Sequence, residues 1–383
     1  MLTLNSKWLA LSAGVALCAT AALAQDNTAL IDTLIKKGIL TTDEAVQIQA
    51  EAAASKKAAA ATPVVSPSKT IVGGKLYVDV SSIDAETANG TKVSPSGVGL
   101  DVKRFYFGVT HVFNDVWSAN INTDSAYSAA TGATSLFIKT AYVQAKLSPL
   151  AIIQAGSANQ PWIPFDEDTY GFRYVENTLI DRLHVGNSAD WGVHLLGSSG
   201  MLSYNVAAVN GGGYKNPTRS KSMDLEGRVS LTPVEGLTLA VGAYSGKLGK
   251  DTYTTPATRT TTRYDALVAY KTKQFNVGAE YFTENDWGFT GSAQSDKGDG
   301  YSVWGQAALS GPFSVFARYD DAKTSKTLHP NMEEQYFNGG FQYHVMSGID
   351  LALVYKHDHV ANPASASTVT KYDEIGVFSQ VAF

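Results

Sequence analysis

The sequence closes on Glu374-Ile375-Gly376-Val377-Phe378-Ser379-Gln380-Val381-Ala382-Phe383. Ile375, Val377, Val381 and Phe383 are apolar at alternate positions, with Ser379 as the one interruption. Glu374, Gly376, Gln380 and Ala382 occupy the other positions, with Phe378 as the exception. Successive side chains of a strand point to opposite faces, so this stretch predicts a strand with one apolar and one polar face.

The same period of two runs back from Phe383 to about Gly73. It marks sixteen segments, near 74–82, 101–113, 116–127, 135–147, 151–160, 190–196, 201–210, 223–232, 237–247, 263–272, 275–286, 300–309, 313–322, 334–345, 349–359 and 372–383. Each approaches the roughly ten residues that carry a tilted strand across a bilayer. Short connections such as Asn114-Asp115, Gly311-Pro312 and Ser347-Gly348 alternate with long ones at 84–97, 211–222, 248–262, 288–298 and 323–333. That alternation is the pattern of bacterial outer-membrane barrels, whereas a propeller repeats every four strands. The expected fold is an all-β transmembrane barrel of 16 antiparallel strands over 73–383. An even number of strands returns Phe383 to the end where the first strand begins. Phe383 is therefore expected to act in barrel closure and assembly.

Charges on the lipid face of such a barrel cost a few kcal/mol near the midplane. Alternation then turns Lys75, Asp79, Arg104, Asp124, Glu226, Arg228, Asp265, Lys271, Glu280, Arg318, Asp320, Lys356 and Asp358 into a watery lumen. That set is nearly balanced in sign. Tyr77, Trp304 and Phe316 fall on the same inward face, and alternation offers no reason for them.

The segment before the barrel reads differently. Lys7, the apolar run 9–23 and Ala22-Leu23-Ala24 predict a secretory signal peptide over 1–24, too short to span a bilayer as a helix. Cys18, the single cysteine, lies inside it, and Leu17 before it does not fit a lipidation site. Disulfides and thiolate metal sites are thereby excluded from the remainder. Leu30, Ile31, Leu34 and Ile35 follow helix spacing, Gly38 is placed as a C-cap, and Thr41-Thr42-Asp43-Glu44 forms a capping box. A periplasmic helical segment is expected over 25–60, joined by a linker over 61–72 rich in Pro, Ser and Thr. The formal net charge of −5 and the lack of a basic face exclude nucleic acid as a partner.

One connection is far longer than a hairpin needs. It covers 161–189 (PWIPFDEDTYGFRYVENTLIDRLHVGNSA). Long loops in compact structures carry function or are disordered, and the apolar content of this one argues for packing. As the third outer loop, folded inward against the wall, it would narrow the pore. Asp166, Glu167, Asp168, Arg173, Glu176, Asp181 and Arg182 are then its candidate constriction charges, net acidic.

Three passages carry a family resemblance. They are Leu34-Ile-Lys-Lys-Gly-Ile-Leu-Thr-Thr-Asp-Glu-Ala45, Val102-Lys-Arg-Phe-Tyr-Phe-Gly108 and Gln154-Ala-Gly-Ser-Ala-Asn-Gln-Pro-Trp162. Together they resemble the phosphate-selective porin O/P family of Gram-negative outer membranes. The resemblance implies a water-filled pore, a homotrimer in outer-membrane lipid, and anion preference given by basic residues at the constriction. This sequence departs from the last point, with Asn159 where the family often has lysine and with an acidic loop. The expectation is a porin for passive diffusion of small hydrophilic solutes and inorganic ions, weakly charge-selective and leaning to cations. Two alternatives stay open: a phosphate- or anion-selective porin, and a plugged barrel with a structural or envelope-tethering role.

Catalytic motifs are absent: there is no GxSxG, HExxH or GxxxxGK[ST]. No enzyme activity, cofactor or metal is expected. His357 and His359 share a strand face, and two imidazoles alone do not define a metal site.

Overall fold

The computed structural model describes residues 35–38, 40–48, 50, 68–128, 133–257 and 259–383. The expected signal peptide, most of the expected helical segment and most of the linker lie outside the described residues. The chain divides into two units, Met1–Val65 and Ser66–Phe383.

In the first unit, residues 42–48 are helical. The Thr41 amide donates to Glu44 Oε2 at 2.9 Å, and the Glu44 amide returns a bond to Thr41 Oγ1 at 3.3 Å. This is the reciprocal capping box, which satisfies two amides that the first helical turn leaves without partners. Gly38 adopts φ +68°, the left-handed conformation that ends a helix.

The second unit is one closed sheet. Its strands are β1 (Lys69–Thr87), β2 (Gly97–Val112), β3 (Trp117–Ser128), β4 (Ala133–Ser148), β5 (Ala151–Asn159), β6 (Ala189–Ser199), β7 (Leu202–Val209) and β8 (Asp224–Leu231). They continue as β9 (Leu237–Gly246), β10 (Thr261–Lys271), β11 (Phe275–Asn285), β12 (Lys297–Ala308), β13 (Phe313–Lys323), β14 (Glu333–Met346), β15 (Ile349–Ala361) and β16 (Val369–Ala382). Each pairs antiparallel with its sequence neighbours, and β1 pairs with β16 to close the barrel. All sixteen expected segments fall on strands. The first begins earlier than the sequence indicates, because Lys69 to Val72, inside the expected linker, pair with Val112 to Val109 of β2.

Polarity is inverted relative to a water-soluble sheet. Val98, Leu100, Leu136, Val241 and Phe341 face outward and are exposed, whereas Asp79, Glu226, Asp265, Glu280, Arg318 and Lys356 are buried inside. An apolar outer face suits a sheet surrounded by hydrocarbon, where closure leaves no unpaired strand edge. Among the described residues no helix is long and apolar enough to cross a membrane, so strands are the only candidates.

At the seam, Phe383 and Gly74 exchange both backbone hydrogen bonds, at 3.0 and 3.1 Å. A Cβ on Gly74 would lie 2.6 Å from the Phe383 ring, so glycine leaves the space that the ring covers. The ring shielding a glycine across the last strand pair is a recognised way to fix register.

Two β-bulges alter the inner face. Between β1 and β2, Tyr77 pairs with Arg104 while Val78 pairs with Val102, which leaves Lys103 as the extra residue. Between β3 and β4, Asn122 pairs with Thr140 while Thr123 pairs with Ile138, which leaves Lys139 extra. A bulge lets two consecutive side chains share a face. Lys103 therefore points inward with Arg104, and Lys139 with Thr140.

Candidate functional site

The connection between β5 and β6 enters the barrel. It forms two short helices, Ile163–Tyr170 and Leu179–Arg182. Pro164 in the first turn, with its fixed φ and no amide to satisfy, suits the start of the first helix. Gly171, at φ +85°, ends it. Trp162, Ile163, Tyr174, Val175, Leu179 and Ile180 are fully buried, so this loop is itself a core.

The inward aromatics that alternation left without a reason are the bed on which the loop rests. Phe172 stacks on Phe316 with ring centroids 4.1 Å apart. Tyr170 meets Trp304 edge-on at 5.8 Å, and Tyr174 approaches Tyr77 at 6.5 Å. Gly242 makes room for Trp162, since a Cβ there would lie 2.5 Å from the indole. Such aromatic pairs add about 0.5–1.5 kcal/mol each beyond the area they bury.

Charged wall residues hold the loop backbone. Arg318 donates to the Asn177 carbonyl at 2.6 Å and to Asp320 at 2.6 and 2.7 Å. Arg263 reaches the Val185 carbonyl at 2.6 Å while paired with Glu226 and Asp265. Arg228 donates to the Pro161 carbonyl at 2.9 Å, and Lys103 to the Val175 carbonyl at 2.8 Å. Glu280 accepts the Leu179 amide at 3.1 Å. Buried backbone carbonyls and amides need partners, and here the barrel wall supplies them.

This corrects the reading of several wall charges. Glu280, Arg318, Asp320 and Lys356 face inward, but they lie beneath the loop instead of in open water, because the loop covers β8 to β16. Loop residues turned to that wall leave the passage as well. Arg182 pairs with Asp320 at 3.2 Å and Asp358 at 3.0 Å, and also with Glu334. Glu176 pairs with Lys356 at 3.1 Å. Burial would raise the Glu176 carboxyl, but Lys356 and Lys103 outweigh it and hold that carboxyl well below the usual range. Asp166 is fully buried, beside Thr178 and Glu280. Burial pushes Asp166 up to about 7, against the lowering influence of Thr178, Glu280 and Arg318.

The other four loop charges border open space. Glu167, Asp168 and Arg173 line a cavity of about 670 Å³ toward the short-turn end, together with Lys75, Tyr77, Tyr106 and Lys139. A smaller cavity of about 160 Å³ lies toward the long-loop end, lined by Arg104, Asp124, Lys139, Arg173, Asp181 and Lys215 among others. Tyr106, Lys139 and Arg173 border both cavities. The two cavities lie on either side of these three side chains, between the loop and the wall of β1 to β4. Arg173 pairs with Glu167 and with Asp181, the latter at 3.4 Å, and Arg104 pairs with Asp124 at 3.5 Å. Lys271 stands exposed at the end of β10 and lines neither cavity.

Sequence reasoning missed Tyr106, Lys139 and Lys215. For Lys139 the signal was present. The exposed apolar residues of β4 are Leu136 and Ile138, then Val143 and Leu147. The outward phase changes from even to odd across Lys139, which is what a bulge does. In β2 it changes in the same way from Val98, Leu100 and Val102 to Phe105 and Phe107, across Lys103.

No protein-family model matches the chain, and no curated relative matches it. Solved structures do. The outer membrane channel DcaP of Acinetobacter baumannii superposes with a TM-score of 0.62 at 12% identity, over 82% of this chain and 97% of that one. An anion-selective porin from Comamonas acidovorans gives 0.59 at 12% identity, over 83% and 100%. Salmonella typhi OmpF gives 0.59 at 11% identity, over 82% and 98%. At these identities the likeness establishes the fold, a closed sixteen-stranded barrel of the outer-membrane type.

Proposed function

We propose that the chain is a porin of a Gram-negative outer membrane, a water-filled channel for passive diffusion of small hydrophilic solutes and ions. The observation that carries this reading is the pair of cavities on either side of Tyr106, Lys139 and Arg173. They are lined by polar and charged groups and lie inside a barrel with an apolar outer face. The mechanism is sieving by the narrowed lumen, biased by charges on its walls. No bond is made or broken. In this reading the short turns face the periplasm, and 25–60 is a periplasmic helical segment that follows a signal peptide.

Membership of the phosphate-selective porin O/P family is part of the proposal. Two of its three supporting stretches fall at the cavities: 102–108 carries Arg104 and Tyr106, and 154–162 leads into the loop. A homotrimer follows from the same resemblance.

Purified protein in a planar bilayer tests the channel. Stepwise openings are expected, in groups of three for a trimer. A folded barrel that passes no current would favour the second reading, a structural barrel plugged by its own loop. The dense clamping of that loop by Arg318, Arg263 and Arg182 is the observation in favour of that alternative.

A further inference from the structure

We infer that the larger cavity is a subsite for a neutral, ring-shaped, polyhydroxylated solute such as a monosaccharide. Tyr142 is the platform for the ring, and Asn122 is a hydrogen-bonding partner for its hydroxyls. The inference rests on the channel reading and names a solute class for it.

Tyr142 differs from the other aromatics around the cavity. Tyr77 supports the loop, and Tyr106 meets Tyr77 edge-on at 5.8 Å while Lys139 lies over its ring at 4.8 Å. Tyr142, on β4, lines the same cavity. Among the described residues no second ring and no cation lies against it, and its hydroxyl has no hydrogen-bond partner. That hydroxyl is not sealed in the wall, so it is open to the cavity. In the register Tyr142 stands between Asn120 of β3 and Gly156 of β5. Gly156 has no side chain to cover the ring. A Cβ there would lie 2.1 Å from the Ala141 carbonyl oxygen, so the close approach of the two strands holds the position to glycine.

The wall around Tyr142 is polar and uncharged. Beyond Lys139 toward the short turns, β2 to β4 line the cavity with Gly108, Thr110, Asn120, Asn122 and Thr140. Asn120 is fixed: it donates to Thr110 Oγ1 at 2.9 Å and accepts from Thr140 Oγ1 at 2.6 Å. Asn122, two residues along the same face, has no side-chain hydrogen bond among the described residues and reaches the cavity. Its amide both donates and accepts, as a hydroxyl does, so it matches a solute built of hydroxyls. Charges of both signs stand across the cavity, with Lys75 on β1 and Asp168 on the loop. A hydroxyl accepts from the one and donates to the other, whereas an ion is repelled by one of them. At about 670 Å³ the cavity falls in the roughly 300–1,000 Å³ range of small-molecule sites. A bare aromatic face with a few placed polar groups is how such sites are made. The C–H face of a sugar ring packs on the phenol while its hydroxyls meet the amide.

The test is titration of glucose into the purified protein, read as current block in a planar bilayer and as heat in calorimetry in detergent. The block should saturate. Sorbitol, which carries its hydroxyls on an open chain without a flat face, should block about fivefold more weakly. Tyr142→Ala should raise the half-saturating glucose concentration about fivefold, the equivalent of one aromatic contact. Asn122→Ala should raise it about threefold, and it serves if Tyr142→Ala does not fold. Lys250→Gln, an exposed residue in the loop after β9, should not move it. A block that does not saturate, or sorbitol as strong as glucose, overturns the inference. So does a half-saturation unchanged in Tyr142→Ala or, should that variant not fold, in Asn122→Ala. Tighter binding of glucuronate, the same ring with a carboxylate, overturns the preference for a neutral solute. A silent but folded barrel instead defeats the channel reading, and calorimetry then still decides the site.

Discussion

The two halves of the barrel wall use the same residue types to opposite ends. Along β8 and β10 to β16, arginine, lysine and carboxylates are buried, mutually paired and joined to the loop, as in Arg263 with Glu226 and Asp265, and Arg318 with Asp320. Along β1 to β4, Lys75, Arg104 and Lys139 border cavities, and among the described residues Lys139 is in no ion pair. Buried, hydrogen-bonded charge is a clamp, because removing one partner strands the other in a low dielectric. Charge left in front of water acts on whatever enters. Knowing only that a charge faces the lumen therefore does not say whether it conducts or fastens. What decides is whether the loop covers it.

The largest effect should come from breaking the clamp. Arg318→Ala removes the donor to the Asn177 carbonyl and leaves Asp320 with Arg182 alone. The loop packing should lose about 3–5 kcal/mol, the range for breaking a buried pair. Limited proteolysis is expected to cut within 160–188 while the barrel stays intact, and conductance is expected to rise. An uncut loop would mean that the aromatic bed alone holds it.

A smaller effect is expected from the packing side. Gly242→Leu places a side chain where the Trp162 indole lies, since even a Cβ would come within 2.5 Å. Overpacking of this kind costs roughly 1–3 kcal/mol. The first loop helix should shift while Arg318 keeps the later part seated, so proteolysis should favour the segment near Trp162.

The pH dependence distinguishes clamp from passage again. Asp166 is buried with its carboxyl near Glu280, Arg318 and Glu167, and sits up to about 7 against an ordinary value of 3.8. Because its value in the packed loop is raised, the packed loop prefers the protonated acid. Its contribution to packing is full below about pH 4 and is lost as pH rises through about 7. Glu176 works in the opposite direction. Held low by Lys356 and Lys103, it keeps its pairing through that window and loses it only in strong acid. Loop-dependent current fluctuations should therefore become more frequent as pH rises from about 4 to about 7. Asp166→Asn should flatten that rise, and an unchanged profile in the variant would exclude Asp166 as its source.

Most of the fold was legible because a period of two is imposed by hydrocarbon on one face and a polar interior on the other. All sixteen strands, the long inward loop and the capping box at Thr41 and Glu44 follow from local pattern. The division of the loop charges did not. Asp166 and Glu167 are adjacent in sequence, yet one is buried under the helix and the other borders the cavity. That split depends on which face of a two-turn helix meets a wall more than a hundred residues away in sequence. The bulges were legible in principle, as phase changes in the outward apolar residues. An unbroken reading of alternation passed over them and so balanced the lumen without Lys103 and Lys139.

Those two lysines provide the sharpest comparison, with the smallest expected effect on permeation. Both are extra residues of bulges, and both point inward. Lys103, however, although it stands on β2, donates to the Val175 carbonyl at 2.8 Å and lies over Phe378 at 5.1 Å, beneath the loop, and it borders neither cavity. If the covering loop decides the role of a charge, Lys103→Gln should leave the chloride-to-potassium ratio within measurement error. It should still weaken loop packing, because a charge-assisted bond to a carbonyl is replaced by a neutral one, worth about half as much. Protease susceptibility of 160–188 should therefore rise without a change in reversal potential. A shift in selectivity beyond that error would mean that the loop does not screen what it covers, and the division between the two walls would fail.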